Sequence, residues 1–251
     1  YNDMSRLPVK WSATALNQAK DFAKENSENN DVTIDINVDT DTEVNDYIPK
    51  HSLEWYANRG TCIHYLMEKL DLQKVANGEK TELLFNDILQ NYDASDDIKK
   101  SVNINKLSSF FDSKIGKILL DCQQKGFNIL READFTLVLT IEKLAEVFFA
   151  KNNPTKQEVA DFAERFNLDY QINCQEKVFF QGVIDLCFRT TKGWILVDYK
   201  SGSSFGLEDK DVREKYGSQI KLYEMALSEI TAEKVIGKYI YYTANNRFVK
   251  F

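Results

Sequence analysis

The clearest hydrophobic pattern in the chain is a pair of short apolar runs at residues 178–188 and 194–199, separated by a polar turn sequence. Both runs are rich in β-branched and aromatic residues, and this composition predicts a β-hairpin. A four-residue loop at residues 190–193 would pair Arg189 with Trp194. The chain therefore contains a predicted antiparallel strand pair whose register can be read from its sequence.

That register places two acidic residues face to face. Asp185 lies opposite Asp198, with Cβ atoms about 4.5–5.5 Å apart, and Asp198 shares a strand face with Lys200 because side chains alternate. Like charges facing each other destabilise a hairpin, and carboxylates inside a sheet need a partner. A divalent cation would satisfy both acids, so the pattern predicts a metal-dependent hydrolytic site. The alternative, acids on an exposed strand face, is disfavoured because both interrupt strongly apolar runs.

Helical spacing of apolar residues recurs through much of the remaining chain. It predicts helices over residues 12–24, 60–72, 79–90, 97–111 and 114–124, a largely helical segment at 144–168, and strands at 128–140 and 235–243. In the helix at residues 60–72, Ile63, Leu66, Met67 and Leu70 face inward and His64 lies at the edge of their stripe. No internal repeat or low-complexity linker divides the sequence, so we expect one α/β domain over residues 1–251.

Composition narrows the class of protein. The 251 residues are 43% hydrophobic and 28% charged, which is ordinary for a globular domain that buries a core. No run of eighteen apolar residues or N-terminal signal pattern occurs. The four cysteines are scattered, so we expect neither structural zinc nor disulfides, and reduced thiols suit a cytoplasmic protein. The first residue is Tyr rather than Met, which leads us to expect a fragment of a longer polypeptide.

The chain carries an excess of negative charge, with a net charge of −7. Part of the excess is local, because residues 25–49 contain eight acidic residues and no Lys or Arg. We interpret this stretch as a solvated acidic insert. Since neutralisation of phosphates supplies most non-specific affinity for DNA, we expect the isolated chain to bind DNA poorly.

Several segments resemble the PD-(D/E)XK nuclease superfamily. Residues 182–186 (Gly-Val-Ile-Asp-Leu) and 198–200 (Asp-Tyr-Lys) are similar to its catalytic hairpin. Four further segments occur in the family's order, at residues 7–16, 59–64, 131–135 and 216–223. The last matches the Gln-x-x-x-Tyr helix of RecB-type nucleases, and the set is most similar to nuclease domains of the AddA type. Each motif alone is weak, but five in order are specific.

The resemblance implies a fold and a ligand set. The fold would be an α/β, restriction-endonuclease-like core with a mixed central sheet flanked by helices, and residues 143–175 would form a helical insertion. His64, Asp185, Asp198 and the backbone carbonyl of Tyr199 would bind Mg²⁺, with Mn²⁺ possible because of the imidazole ligand. No closely spaced cysteine trio follows Cys187, so we expect no iron–sulfur cluster.

The resemblance also implies further catalytic residues. Lys200 would orient or deprotonate a water molecule, or stabilise charge developing on phosphorus, and the sequence leaves these roles open. Glu132 would lie near the metal. Gln219 and Tyr223, four residues apart on one helix face, would contact the nucleic-acid backbone or the surroundings of Lys200.

The implied function is an exodeoxyribonuclease-type, Mg²⁺-dependent domain that hydrolyses DNA in double-strand-break repair and recombination. Its partners would be DNA, mainly single strands, a helicase portion of the same polypeptide and an AddB-like partner protein, with no membrane. Two alternatives stay open: an inactive DNA-binding or scaffold module with a nuclease fold, and a stand-alone RecB-like nuclease. Exonuclease versus endonuclease behaviour is also open.

Overall fold

A computed structural model describes residues 10–12, 51–149, 153–165 and 177–251 of the chain. Apart from Ser12, the helix predicted at residues 12–24 lies outside the described residues. The acidic segment at residues 25–49 and part of the predicted insertion at residues 143–175 also lie outside them. The chain forms two compact units. Among the described residues, the first unit comprises 10–12, 134–149, 153–165, 177–183 and 210–232, and the second comprises 51–133, 184–209 and 233–251.

Along the chain, most of the described helices come first and most of the described strands follow. The described helices are α1 Leu53–Lys69, α2 Leu72–Ala76, α3 Thr81–Asn91, α4 Asp96–Ser101, α5 Ile104–Asp112, α6 Lys114–Gln124, α7 Ile141–Phe148, α8 Lys156–Arg165 and α9 Asp209–Thr231. The described strands are β1 Lys10–Ser12, β2 Ile129–Thr140, β3 Lys177–Thr190, β4 Gly193–Lys200, β5 Val235–Tyr242 and β6 Arg247–Lys250. Strands β2 and β3 each run from one unit into the other.

The strands pair in both directions. In the second unit β3 is antiparallel to β4, β4 is parallel to β5, and β5 is antiparallel to β6. In the first unit β1 is parallel to β3. Strand β2 also pairs with β3. The α/β class and the mixed sheet predicted from the sequence are therefore confirmed.

The hairpin of β3 and β4 has the predicted register but a tighter turn. Arg189 pairs with Trp194 as expected, but the pairing continues to Thr190 and Gly193, so the four-residue loop was wrong. Thr190 Oγ1 donates to the Gly193 carbonyl at 2.7 Å and accepts from the Lys192 N–H at 3.1 Å, which closes the turn. Gly193 has φ +140°, and a Cβ there would lie 2.5 Å from the Lys234 carbonyl oxygen, so only glycine fits.

Helix boundaries differ from the sequence expectation where capping residues intervene. The helix predicted at residues 60–72 begins at Leu53, because Ser52 caps it by accepting the Trp55 N–H at 3.2 Å. The helix predicted at residues 97–111 is divided into α4 and α5, because Asn103 caps α5 by accepting the Lys106 N–H at 3.1 Å. The short elements α2, β1 and β6 were not predicted.

A single hydrophobic core joins helices α1–α6 to the sheet of the second unit. It includes Leu66 of α1, Phe110 of α5, Phe188 of β3 and Tyr241 of β5, all fully buried. The rings of Phe110 and Tyr241 meet edge to face, with centroids 5.0 Å apart. Burial of each such side chain contributes on the order of 1.5–3 kcal/mol, so this core fixes α1 against the strands that carry the acidic residues.

No helix in the described ranges is both long and apolar enough to cross a membrane.

Candidate active site

Helix α1 presents His64 beside the sheet. Ile63 and Leu66 are buried in the core, so the adjacent His64 lies at the core's edge, partly exposed. Gly60, one turn earlier, allows the helix to approach the side chain of Ser201, just after β4, because a Cβ at this position would lie 3.3 Å from Ser201 Oγ. The Gly-x-x-x-His spacing thus places two features one turn apart on α1: a glycine that allows close approach to Ser201, and the imidazole of His64.

Arg131 ties the start of β2 to the end of α1. Its Nη1 donates to the carbonyls of Met67 at 3.3 Å and Leu70 at 2.5 Å, near the C-terminus of that helix. Helix ends leave carbonyls that require donors, and a partly buried guanidinium is a suitable one. The contact fixes the position of the next residue, Glu132.

Glu132 has an unusual backbone that turns its side chain toward His64. Its φ is +45°, in the left-handed region that non-glycine residues rarely adopt. Such a conformation costs on the order of 1–3 kcal/mol and occurs most often at functional sites. Glu132 Oε1 lies 3.2 Å from His64 Nδ1.

Asp185 of β3 is the third member of the group. Its Oδ2 accepts the backbone N–H of Tyr199 at 2.5 Å, and its Oδ1 lies 3.5 Å from His64 Nδ1. The side chain is buried. The paired register of the hairpin ends at Leu186 and Val197, so this side-chain hydrogen bond replaces the next backbone contact.

Three elements therefore bring His64, Glu132 and Asp185 together, with one ligand atom of each within 4.8 Å of the others. Opposite ligands of one Mg²⁺ ion lie about 4.2 Å apart, given Mg–O distances of about 2.1 Å. One imidazole nitrogen and two carboxylates suit a divalent cation such as Mg²⁺ or Mn²⁺. The donor set fits a divalent cation, and Glu132 takes the place in it that the sequence led us to expect for Asp198.

The electrostatics of His64 reflect its two acidic neighbours. Burial alone lowers its pKa, but the charge and hydrogen bond of Asp185, followed by those of Glu132, more than offset this effect. The pKa of His64 is therefore raised well above its usual range. A proton on this imidazole partly neutralises the two carboxylates, as a bound cation would.

Asp198 and Lys200 form a second buried group on β4. Lys200 Nζ lies 3.2 Å from Asp198 Oδ2, and β4 is buried along its whole length. In the described part of the chain, Asp198 does not join the cluster of His64, Glu132 and Asp185. Its expected role as a metal ligand, and that of the Tyr199 carbonyl, stay predictions.

A sequence profile of the PD-(D/E)XK nuclease superfamily matches residues 42–250. The chain belongs to this superfamily. Among curated relatives it is 28% identical over 195 residues to an ATP-dependent helicase/nuclease subunit from Thermoanaerobacter sp. strain X514, a match that covers 78% of this chain and 14% of the relative. It is 31% identical over 185 residues to the protein of the same name from Clostridium botulinum strain Alaska E43, covering 74% of this chain and 13% of the relative. The chain thus spans about one seventh of their length.

As a PD-(D/E)XK nuclease domain, the chain shows why two of its motif positions are needed. A Cβ on Gly182 would lie 2.8 Å from the ring of Phe135, so the glycine of one motif accommodates the phenylalanine of another. The ring of Phe135 also meets that of Tyr223 edge to face, with centroids 5.6 Å apart. These contacts all lie within the first unit.

The Gln-x-x-x-Tyr motif of this nuclease domain lies on α9 in the first unit. Gln219 Nε2 donates to the Tyr223 hydroxyl at 2.9 Å, and both side chains are buried. The predicted shared helix face is therefore present. Their place at the active site stays a prediction.

Sequence reasoning did not assign a role to Arg131. The residue begins the Arg-Glu-x-x-Phe segment, so its position was visible, but the carbonyls that it contacts belong to a helix about sixty residues earlier. Arg131 therefore holds the start of β2 against the end of α1, and the next residue, Glu132, is a candidate metal ligand.

Proposed function

We propose that this chain is a divalent-metal-dependent deoxyribonuclease domain that hydrolyses phosphodiester bonds of DNA. The observation that carries the proposal is the convergence of His64, Glu132 and Asp185 in a unit that also carries the buried Asp198–Lys200 pair. A nitrogen ligand, two carboxylates and an ammonium group are the parts that metal-assisted phosphate hydrolysis requires.

In this proposal His64, Glu132 and Asp185 hold Mg²⁺, with Mn²⁺ as a substitute. The cation would polarise the scissile phosphoryl group and lower the pKa of a bound water. The Tyr199 N–H fixes one oxygen of Asp185 and leaves the other directed toward His64. Asp198 and the Tyr199 carbonyl are further candidate ligands because they lie on β4, which pairs with the strand that carries Asp185.

Lys200 supplies positive charge that the phosphate requires. Asp198 holds its ammonium group in place, and the Thr243 backbone N–H holds its carbonyl at 2.9 Å. A preorganised cation of this kind stabilises charge that develops on the phosphoryl oxygens, or orients the attacking water. Both roles require the ammonium group of Lys200 at the same position, so we propose both as alternatives.

The relatives carry a helicase in their name, and this supports a wider proposal. We infer that the domain belongs to a longer helicase–nuclease polypeptide that delivers DNA, chiefly as single strands, and that pairs with an AddB-like partner protein. The setting would be repair and recombination of double-strand breaks in the cytoplasm, with exonucleolytic cleavage.

Degradation of labelled single-stranded DNA tests the proposal. The wild-type chain should cleave with Mg²⁺ and stop in EDTA. Glu132→Gln and Asp185→Asn should reduce the rate on the order of 10²–10³-fold, the loss seen when a preorganised electrostatic group is removed. Glu82→Gln, which removes an exposed acid in the first turn of α3, is the matched control and should cleave normally. Cleavage in EDTA, or normal rates in both site variants, would refute the proposal.

A further inference from the structure

A polar pocket adjoins the residues that carry the candidate active site. Its volume is about 240 Å³, and its polar lining is Arg59, Ser101, Asn103, Lys106 and Thr243. Within the described part of the chain, no carboxylate lines it. A cavity with two cations and no acid is unexpected in a protein with a net charge of −7.

Two lining residues hold the backbone that leaves the end of β4. Arg59 Nη1 donates to the Ser201 carbonyl at 2.9 Å, and Thr243 donates to the Lys200 carbonyl from its N–H at 2.9 Å and from Oγ1 at 3.3 Å. Arg59 also lies on α1, five residues before His64. The pocket and the candidate site therefore share one helix and one strand end.

Among the residues that the structure describes, the two cations of the pocket have only neutral partners. Arg59 bonds the Ser201 carbonyl, and Lys106 Nζ donates to the Ala244 carbonyl. No carboxylate among the described residues lies within 4 Å of either charge. A guanidinium carries five N–H donors, so Arg59 retains capacity for an anion.

Burial makes the charge of Arg59 costly without an anion. The side chain is partly buried, and burial is the main cause of the lowering of its pKa. An anionic group in the pocket would offset this cost, because charge-assisted hydrogen bonds are about twice as strong as neutral ones.

We propose that this pocket binds a phosphate of the DNA backbone next to the scissile bond. The proposal rests on the nuclease function proposed above and adds a second contact point for the strand. The volume is below the roughly 300–1,000 Å³ of sites for drug-sized ligands, and it suits one phosphodiester group better than a free nucleotide. A single local contact of this kind would hold the strand in register on an acidic domain.

The test uses Lys106→Gln, because Lys106 is exposed and its loss leaves the core intact. Lys117→Gln on α6, which removes another exposed lysine, is the matched control, and Lys106→Arg should restore binding. Binding of single-stranded DNA in EDTA, measured against salt, should weaken about two- to five-fold in Lys106→Gln. The slope of log affinity against log salt should become shallower by about 0.7, the value for one phosphate on a single strand.

Oligonucleotides with one methylphosphonate locate the contact. In Mg²⁺, neutralising one internal phosphate near the cleaved bond should raise KM for the wild type and the Lys117→Gln control, and have little effect on Lys106→Gln. If KM rises only when a terminal phosphate is removed, or if inorganic phosphate competes for the pocket as well as the DNA strand does, the proposed contact with an internal phosphate is wrong.

Identical DNA binding, salt slope and methylphosphonate response in Lys106→Gln and wild type would overturn the proposed phosphate pocket while leaving the nuclease function intact. Absence of cleavage by the wild type would instead refute the nuclease function, and the salt slopes in EDTA would still decide the pocket.

Discussion

Asp198 and Lys200 neutralise each other inside the sheet. They stand two residues apart on β4, with Oδ2 and Nζ separated by 3.2 Å, and only 2% and 8% of their surfaces are exposed. A buried ion pair of this kind is costly to break on one side, because the remaining charge stays in a poorly solvated position. Lys200, the proposed catalytic lysine, is therefore also a structural residue.

The first prediction concerns that coupling. Lys200→Met should lower the free energy of unfolding by roughly 3–5 kcal/mol, because it leaves the Asp198 carboxylate without its ammonium partner. The double variant Asp198→Asn/Lys200→Met should lose clearly less than the sum of the single variants. Urea unfolding of the four proteins measures the coupling. Additive losses would indicate that each charge is stabilised independently of the other.

The second prediction concerns pH and metal binding at His64. Since the pKa of His64 is raised well above its usual range, a cation that binds this imidazole must displace a proton at pH values below that raised pKa. Below that raised pKa, metal affinity should fall as pH falls, by up to about tenfold per pH unit. Without metal the raised pKa contributes stability at low pH, which is lost as pH rises through the folded-state value.

Calorimetric titration with Mn²⁺ in buffers of different ionisation enthalpy measures the released proton. Release of close to one proton per ion is expected in the wild type and almost none in His64→Gln. Metal affinity that stays constant with pH in the wild type would show that His64 is not a ligand.

The third prediction concerns Arg131 as a positioning residue. Arg131→Met removes the donors to the Met67 and Leu70 carbonyls and should lower stability by about 1–3 kcal/mol. Because Glu132 loses its anchor, metal affinity should also fall about 10–100-fold, the range for residues that orient ligands. Arg189→Met, which breaks a partly exposed pair with Glu233, is the control and should leave metal affinity unchanged. Equal metal affinity in both variants would confine Arg131 to a purely stabilising role.

The fourth prediction tests the glycine of the Gly-Val-Ile-Asp-Leu segment. Gly182→Ala places a Cβ 2.8 Å from the Phe135 ring and should destabilise the chain by about 1–3 kcal/mol. Phe135→Leu should partly rescue it. Gly217→Ala on α9 meets no atom within 4 Å and should instead stabilise by about 0.5–1 kcal/mol. Thermal and urea unfolding decide between these signs, and a neutral Gly182→Ala would show that the Phe135 ring moves aside freely.

The hairpin could be predicted because its information is local. Alternation and turn residues fixed the pairing of Arg189 with Trp194, which the two strands keep as far as Leu186 and Val197. Inward-facing Ile63 and Leu66 likewise followed from helical spacing. The tighter turn was missed because Thr190 closes it with its own hydroxyl, a contact that strand propensity does not describe.

The composition of the candidate metal site was harder to predict. Pattern alone placed Asp198 with Asp185, whereas Glu132 is the acid that meets His64. Glu132 reaches it through a positive φ, and the preceding Arg131 bonds a helix end about sixty residues away. Neither a strained backbone angle nor a distant carbonyl leaves a periodic signal in the sequence.

The hydrogen bonds of Arg131 also link local unfolding at the end of α1 to metal binding at the candidate site. The end of α1 and the start of β2 are held by one guanidinium, and His64 and Glu132 lie on the two segments that it joins. Fraying of the helix end would therefore separate two ligands at once, and a bound cation would suppress that fraying. Amide hydrogens at the end of α1 and the start of β2 should exchange with solvent as one cooperative group, and Mn²⁺ should slow both together.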